Sequence, residues 1–407
     1  VTLVVQKYGG TSVADLDRIR NVAARVKRQV QAGDQVAVVV SAMSGSTNQL
    51  VSWVHGLDAA GYDTAEYDQV VASGEQVTVG LLAIALQTMG VPAQSFLGWQ
   101  AGFATDLAYG KARIMGIDPE PVRGCLAAGK VAVVAGFQGL SPDGRVTTLG
   151  RGGSDTSAVA LAAALQAERC DIFTDVDGVY TTDPRIVAKA RKIDRITYEE
   201  MLEMASLGAK VLQTRSVAMA MQHRVRVQVL SSFEDLPGTL VVDEEEIVES
   251  QIVSGIAYSR DEARVTVLGV HDRPGVAACI FGPLAEHGIN VDMIVQSVSR
   301  DGVYANLTFT VSRADLPRAL AVLERAKGEI GYGELAADAD VCKVSVVGVG
   351  MRSHAGIAHQ MFATLAAKGI NIHAIATSEI KVSVLIGEEY TELALRALHS
   401  AYGLDKD

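Results

Sequence analysis

The sequence predicts an α/β domain with a mainly parallel sheet, followed by a duplicated small α+β unit. Two observations carry that expectation. In the first 245 residues, short β-branched runs alternate with helical patterns, the signature of strands joined by helical crossovers. Beyond that point the chain repeats itself. Val265-Thr-Val-Leu-Gly-Val270 aligns with Val344-Ser-Val-Val-Gly-Val349 at an offset of 79 residues. Pro274-Gly-Val-Ala-Ala-Cys-Ile-Phe281 and Gly288-Ile-Asn-Val291 align with Ala355–Phe362 and Gly369–Ile372 at an offset of 81, so the second copy carries a two-residue insertion in its first loop.

In chain order, Thr2–Gln6, Gln35–Val40, Val131–Ala135 and Asp171–Thr174 read as buried strands. Asp17–Gln31 and Ser157–Gln166 read as helices. Gln76–Thr105 carries no charge, but Gln87, Gly90 and Pro92 interrupt it, so it reads as a buried helix with its exit loop rather than a membrane span. The acidic run Asp243–Glu246 reads as a solvated stretch near the domain boundary. Each repeat copy then reads strand, loop, helix, strand, strand, helix. Asp272 or Ser353 is the expected cap of the first helix of each copy, with Pro274 in the first turn.

Composition bounds the function. Of 407 residues, 49% are hydrophobic and 5% aromatic, which supports more than one aliphatic core. Lys and Arg number 36 against 47 Asp and Glu, a net charge of −11, which argues against nucleic acid or an anionic membrane as the main partner. The four cysteines are far apart and form no CxxC pair, and the opening residues lack a signal-peptide pattern. A cytoplasmic protein without a dedicated metal site is expected.

The chemistry-bearing stretches all follow strands, where open α/β sheets bind ligands. Lys7-Tyr-Gly-Gly-Thr-Ser12 leads from the first strand into the first helix, with two glycines whose amides can approach an anion and a lysine beside them. It is neither the Walker pattern nor GxGxxG. Ser41–Thr47 offers small hydroxyl residues that either cap a helix or bind an oxyanion. Glu75 precedes the charge-free helix, where an acid ordinarily serves the helix start. Thr147–Thr156 is a second glycine loop with Arg151 and Asp155 inside it; an arginine there can hold a carboxylate bidentately. In Thr174–Arg185, Asp175 and Asp177 either ligate a metal or build the turn. HExxH, GxSxG and any nucleophile–base pair are missing. Two anion-ready loops without a base fit phosphoryl transfer, which needs positioning and charge neutralisation more than covalent chemistry.

At Lys7-Tyr-Gly-Gly-Thr-Ser-Val13, Thr148-Leu-Gly-Arg-Gly-Gly-Ser-Asp155, Thr174-Asp-Val-Asp-Gly-Val-Tyr180 with Asp183-Pro-Arg185, and Gly208-Ala-Lys-Val-Leu212, the chain resembles the aspartate kinases. The repeated half resembles their tandem ACT domains, with Thr377-Ser-Glu-Ile380 near the end. The resemblance covers essentially the whole chain. It implies a three-layer amino-acid-kinase domain over residues 1–245 and two ferredoxin-like ACT domains. The first of these, residues 264–340, is inserted into the second, residues 250–263 with 341–407.

The implied reaction is transfer of the ATP γ-phosphoryl group to the β-carboxylate of L-aspartate, the first step toward lysine, threonine and methionine. Mg²⁺ would ride on the ATP phosphates. The resemblance assigns catalysis to Lys7, Arg151 and Asp155. It assigns the nucleotide to Lys7, Gly9, Gly10, Ser41, Thr174, Asp175, Tyr180, Arg185 and Lys210, and aspartate to Thr47, Glu75, Arg151, Gly152, Gly153 and Ser154. The ACT pair implies inhibition by lysine, threonine or both. Candidate effector contacts are Asp272, Gly275, Val276, Asn290, Val291, Asp292 and Gln296 in the first copy. Ile357, Ala358, Asn371, Ile372, Ser378 and Glu379 are their counterparts in the second. Homo-oligomers through ACT domains are expected. A separate ACT-only small subunit is a further possibility, although no methionine lies between Met221 and Met293 to start one. The rivals are an amino-acid kinase with another acceptor and a non-catalytic amino-acid sensor.

Overall fold

The computed structural model describes the chain except for residues 58–60, 208–210, 248–251, 301, 355 and 407 and the side chains of Arg352 and Ser353. Two compact units emerge. The first comprises Val1–Val179, Lys192–Ala205 and Lys210–Val248; the second comprises Tyr180–Arg191, Ser206–Ala209 and Glu249–Asp407.

The first unit opens with β1 (Leu3–Tyr8), α1 (Leu16–Gln31), β2 (Gln35–Val40), α2 (Ser46–Leu57), α3 (Thr64–Val71) and α4 (Ser73–Thr88). It continues with β3 (Ala93–Phe96), β4 (Phe103–Thr105), β5 (Ile114–Ile117), α5 (Glu120–Ala127), β6 (Val131–Ala135), β7 (Gln138–Leu140) and β8 (Val146–Thr148). It closes with α6 (Gly153–Leu165), β9 (Arg169–Thr174), β10 (Arg195–Thr197), α7 (Tyr198–Ser206), α8 (Thr214–His223), β11 (Val227–Ser231) and β12 (Thr239–Val242).

Among the described residues, eight strands form one sheet in the order β10-β12-β11-β9-β1-β2-β6-β3, and four form a smaller sheet, β5-β4-β7-β8. In the large sheet only the β11–β12 pairing is antiparallel. The central strands are valine-rich because both faces are covered. On one face Val36, Val38, Val40, Val131 and Val133 pack against Val22, Val26, Val79, Leu82 and Leu86 of α1 and α4. On the other, α6 lies against β1, β2 and β9; its residues Ala158–Ala162 are all buried, so it has no polar face. The helix starts predicted at 17 and 157 fall at Leu16, where Asp15 accepts the Arg18 amide, and at Gly153, where the loop glycine turns directly into the helix.

The charge-free stretch is half buried rather than buried. Gly74, Glu75, Thr78, Val79, Leu82, Ala83 and Leu86 face inward, whereas Val77 and Ile84 are exposed. Among the described residues Thr64–Thr88 is long and apolar enough by composition to cross a membrane, but half of its most apolar window is buried in the fold. The acidic run is partly pinned, since Glu246 pairs with Arg226 at 2.9 Å.

The second unit contains β13 (Gly255–His271), α9 (Val276–Glu286), β14 (Asp292–Val298), β15 (Tyr304–Val311), α10 (Leu316–Arg325) and α11 (Lys327–Ile330). After these come β16 (Glu334–Val347), α12 (Ile357–Ala367), β17 (Ala374–Thr377), β18 (Lys381–Gly387) and α13 (Thr391–Ala401). Each copy has the predicted element order. Among the described residues their strands form one sheet, β14-β15-β13-β16-β18-β17. The long strands β13 and β16 run through both halves: Gly255–Ser259 pairs with Lys343–Val347, and Arg264–Leu268 with Glu334–Asp338. Two helical clusters cover it, one under each half.

The caps differ from expectation. Gly275 and Gly356, not Asp272 or Ser353, precede α9 and α12, at φ of 91° and 103°. A residue in the left-handed region turns the chain into the helix without a side-chain acceptor, and Pro274 therefore lies before the first turn. Residues 180–191 pack within this unit. Val187 joins its second core cluster, and the Thr181 hydroxyl pairs with the buried His399 ring at 2.9 Å.

Candidate active site

The ends of β1, β2 and the starts of α4 and α6 meet in the first unit. At the end of β1, the Lys7 amine lies 2.5 Å from Asp155 in the first turn of α6, and both side chains are about nine-tenths buried. A lysine at a strand end beside a helix start is an arrangement suited to an anion, and the Asp155 carboxylate fixes where the amine sits. Gly9 and Gly10 follow. A methyl group on Gly10 would stand 3.1 Å from the Ala42 carbonyl, and one on Gly9 would stand 3.3 Å from the Lys7 amine. Any side chain here would crowd the lysine or the β2–α2 loop.

Ala42 is the hub of the other side. Its amide donates to Glu75 Oε1 at 2.9 Å. Glu75 is 2% exposed and its Oε2 has no hydrogen-bond partner among the described residues. Burial pushes its carboxyl up to about 7, against the opposing pull of the Ala42 amide. It is therefore not an ordinary helix-start acid; it is a desolvated carboxyl with no cationic partner among the described residues. Ser41 donates to Ser154 at 3.0 Å, which joins the end of β2 to the start of α6. Thr47 sits in the first turn of α2, half-buried.

The Arg151 loop lies between β8 and α6. Gly150 and Gly152 have φ of 75° and 70°, and a methyl on Gly152 would overlap the Gln213 side chain. Arg151 is exposed and has no hydrogen-bond or ion-pair partner among the described residues. Gly153 rests against Phe137, itself at φ 70°, an uncommon conformation for an aromatic residue. The Phe137 carbonyl accepts the Leu149 amide at 2.9 Å, and its own amide donates to Ser157 at 3.0 Å.

On the expected nucleotide side, Thr174 ends β9 and Asp175 follows it in the same unit, with the Thr174 hydroxyl donating to Asp175 at 3.1 Å. Asp177 faces Lys192 at 3.7 Å. Among the described residues no group of three or more His, Cys, Asp or Glu is placed to hold a metal. Tyr180 and Arg185 belong to the second unit, where Arg185 is held by Asp183 at 2.8 Å. Lys210 lies outside the described residues.

The effector candidates all fall in the second unit. Asp272, Asn290, Asp292, Gln296, Asn371, Ser378 and Glu379 are exposed, whereas Val276 is buried. Val291, Ile357, Ala358 and Ile372 are half-buried. Asp292 is already engaged: Lys343 donates to it at 2.8 Å while also pairing with buried Glu262 at 2.6 Å.

Sequence reasoning missed Phe137, Asp68 and Arg215. A signal existed for Asp68, because Ala65, Asp68 and Val71 share the buried stripe of α3, and an acid in such a stripe needs donors. Phe137 and Arg215 gave none.

A mainly parallel sheet with glycine loops and a buried lysine–aspartate pair at its strand ends fits the small-molecule kinases. Residues 2–231 match the amino acid kinase family model, and residues 264–328 and 344–402 each match a model of the ACT domain. The chain is 55% identical over its full length to aspartokinase from Pseudomonas aeruginosa, covering 98% of that protein. Its structure resembles E. coli aspartokinase III in complex with aspartate and ADP (R-state), at TM-score 0.80 and 29% identity over 98% of this chain and 99% of that one. The same enzyme in complex with lysine and aspartate (T-state) gives 0.76 and 28%, with the same coverage. The chain belongs to the aspartokinase family and is a kinase with two ACT domains.

Proposed function

We propose that this site joins aspartate and Mg·ATP as follows. The β-carboxylate of aspartate, ionised at neutral pH, attacks the γ-phosphorus. The new bond forms between that oxygen and phosphorus, the bond to the β,γ-bridging oxygen breaks, and ADP leaves with the electron pair. No proton moves, which accords with a site lacking a base. Lys7 and the Gly9 and Gly10 amides offset the charge spread over the transferring oxygens, and Asp155 holds Lys7 there. Glu75 receives the α-ammonium, with Thr47 beside it, and Arg151 with the amides of Gly152, Gly153 and Ser154 takes a carboxylate. Ser41, Thr174, Asp175, Tyr180, Arg185 and Lys210 serve the nucleotide.

The observation that carries this reading is the pairing of opposites. The buried Lys7–Asp155 pair stands ready for phosphate, and the buried, cation-less Glu75 stands ready for an ammonium.

The domain division proposed is a kinase domain to about residue 245 and one ACT unit inserted in the other; the register of β13 and β16 supports it. Lysine, threonine or both would act through the ACT units, and the lysine complex of the E. coli relative supports lysine as the first candidate. A homo-oligomer through the ACT units, with or without a separate ACT-only subunit, completes the proposal.

The test is acyl phosphate formation from ATP, Mg²⁺ and L-aspartate, trapped with hydroxylamine, alone and with each amino acid. Product that disappears with lysine or threonine is the expected result. ATP binding without product would promote the sensor reading. A narrower expectation concerns the clamp: Arg151→Ala should raise the aspartate KM by about tenfold to a hundredfold with little change in the ATP KM. An unchanged aspartate KM would remove the clamp assignment.

A further inference from the structure

Arg151 has no partner among the described residues, and its backbone is flanked by Gly150, Gly152 and Gly153. A guanidinium on such a loop has no positional definition of its own, since glycine gives the chain maximal freedom. Two side chains outside the site supply it.

Asp68 of α3 is fully buried. Its Oδ2 accepts the Thr148 amide at 2.8 Å and its Oδ1 the Thr148 hydroxyl at 2.6 Å, while the Gly110 amide donates to the same carboxylate at 2.9 Å. Arg215 of α8 directs Nη1 to the Leu149 carbonyl at 2.9 Å and Nη2 to the Ala112 carbonyl at 2.8 Å. The Ala112 amide in turn donates to the Thr148 carbonyl at 2.9 Å. These bonds close a ring through residues 110–112 and 148–149, and the glycine loop starts from it.

Arg215 is unusual in its partners. A half-buried guanidinium ordinarily meets a carboxylate; here its Nη1 and Nη2 bonds go to main-chain carbonyls, and burial pulls its pKa down from the ordinary arginine value. What the planar fork provides is a fixed spacing between two carbonyls.

We infer that Asp68 and Arg215 are positioning residues that hold the root of the Arg151 loop and so set the affinity for the acceptor substrate. Neither is among the residues assigned to the substrate. The inference rests on the reading of Arg151 as the carboxylate clamp.

The experiment is steady-state kinetics on the full chain for Arg215→Met, Arg215→Lys, Asp68→Asn, Arg151→Ala and the double variant Arg151→Ala/Arg215→Met, with thermal unfolding alongside. Arg215→Met should raise the aspartate KM about tenfold or more, because a small displacement of a positioning group is costly, and leave the ATP KM within about twofold. Arg215→Lys, which can reach one carbonyl, should fall between, and Asp68→Asn should move the same constant in the same direction. In the double variant Arg215→Met should add nothing to Arg151→Ala, since it acts through that residue.

An unchanged aspartate KM in both Arg215→Lys and Asp68→Asn would overturn the inference. So would parallel losses in both KM values and kcat that track the melting temperature, or full additivity in the double variant. If Arg151→Ala raises the aspartate KM and the Arg215 variants do not, the positioning role alone fails. If Arg151→Ala leaves it unchanged, the clamp reading itself fails.

Discussion

Lys7→Met should lower kcat by about 10²–10³-fold, the usual consequence of deleting one preorganised donor aimed at developing negative charge. The aspartate KM should change far less, because in the proposed reading the amine serves the transferring phosphoryl group rather than the amino acid. Stability should fall as well: the substitution strands Asp155, whose carboxylate is about nine-tenths buried and 2.5 Å from the lost amine. Adding Asp155→Asn to Lys7→Met removes that stranded charge. The double variant should therefore recover melting temperature without recovering rate. A Lys7→Met enzyme within threefold of the parent kcat would show that the phosphoryl group is stabilised elsewhere.

Glu75 yields the second large effect, in which activity and stability move in opposite directions. Its carboxyl titrates near 4.5 when unfolded and at about 7 in the fold, because burial disfavours the charge. Between those values the native state holds a proton that the unfolded state has lost. Stability therefore falls as pH rises from about 4.5 to 7, and the full deficit, on the order of 3 kcal/mol, is present above 7. Glu75→Gln should raise the melting temperature at pH 8 and leave it nearly unchanged at pH 5.

In the proposed reading the aspartate ammonium is the missing counterion. As pH falls below about 7 the carboxylate is lost, and kcat/KM for aspartate should drop about tenfold per unit while kcat at saturation declines less. Glu75→Gln should flatten that profile and raise the aspartate KM by roughly a hundredfold, through loss of a buried charge-assisted bond. A variant with an unaltered pH profile would take the ammonium away from Glu75.

Both effects depend on facts of unequal legibility. Lys7 with the glycine pair and Arg151 with Asp155 could each be read from one loop, because glycine loops are short runs whose backbone conformation and charge are encoded locally, and the family resemblance joined the two. Glu75 could be found but not understood. An acid at a helix start looks the same whether it faces water or an apolar interior, and only packing beneath Ala42 removes its solvent. Asp68 and Arg215 were missed because each acts on a backbone far away in sequence, 80 and 66 residues from Thr148 and Leu149 respectively. The expected caps Asp272 and Ser353 failed for a local reason: glycine at the left-handed position immediately before each helix made a side-chain cap unnecessary.

By itself the sequence determined the parallel α/β class, the duplicated second half and the glycine loops at the strand ends. Those depend on periodicity, glycine placement and self-similarity, which are properties of neighbouring residues. Tertiary structure decided what long-range contact alone can set. The two α+β copies became a single six-stranded sheet because β13 and β16 each run through both halves. Tyr180 and Arg185, expected at the nucleotide, lie within residues 180–191, which packed into the second unit because Val187 found its core and Thr181 its histidine there. The charge state of Glu75 was likewise settled by which side chains excluded water from it, a quantity that no stretch of sequence contains.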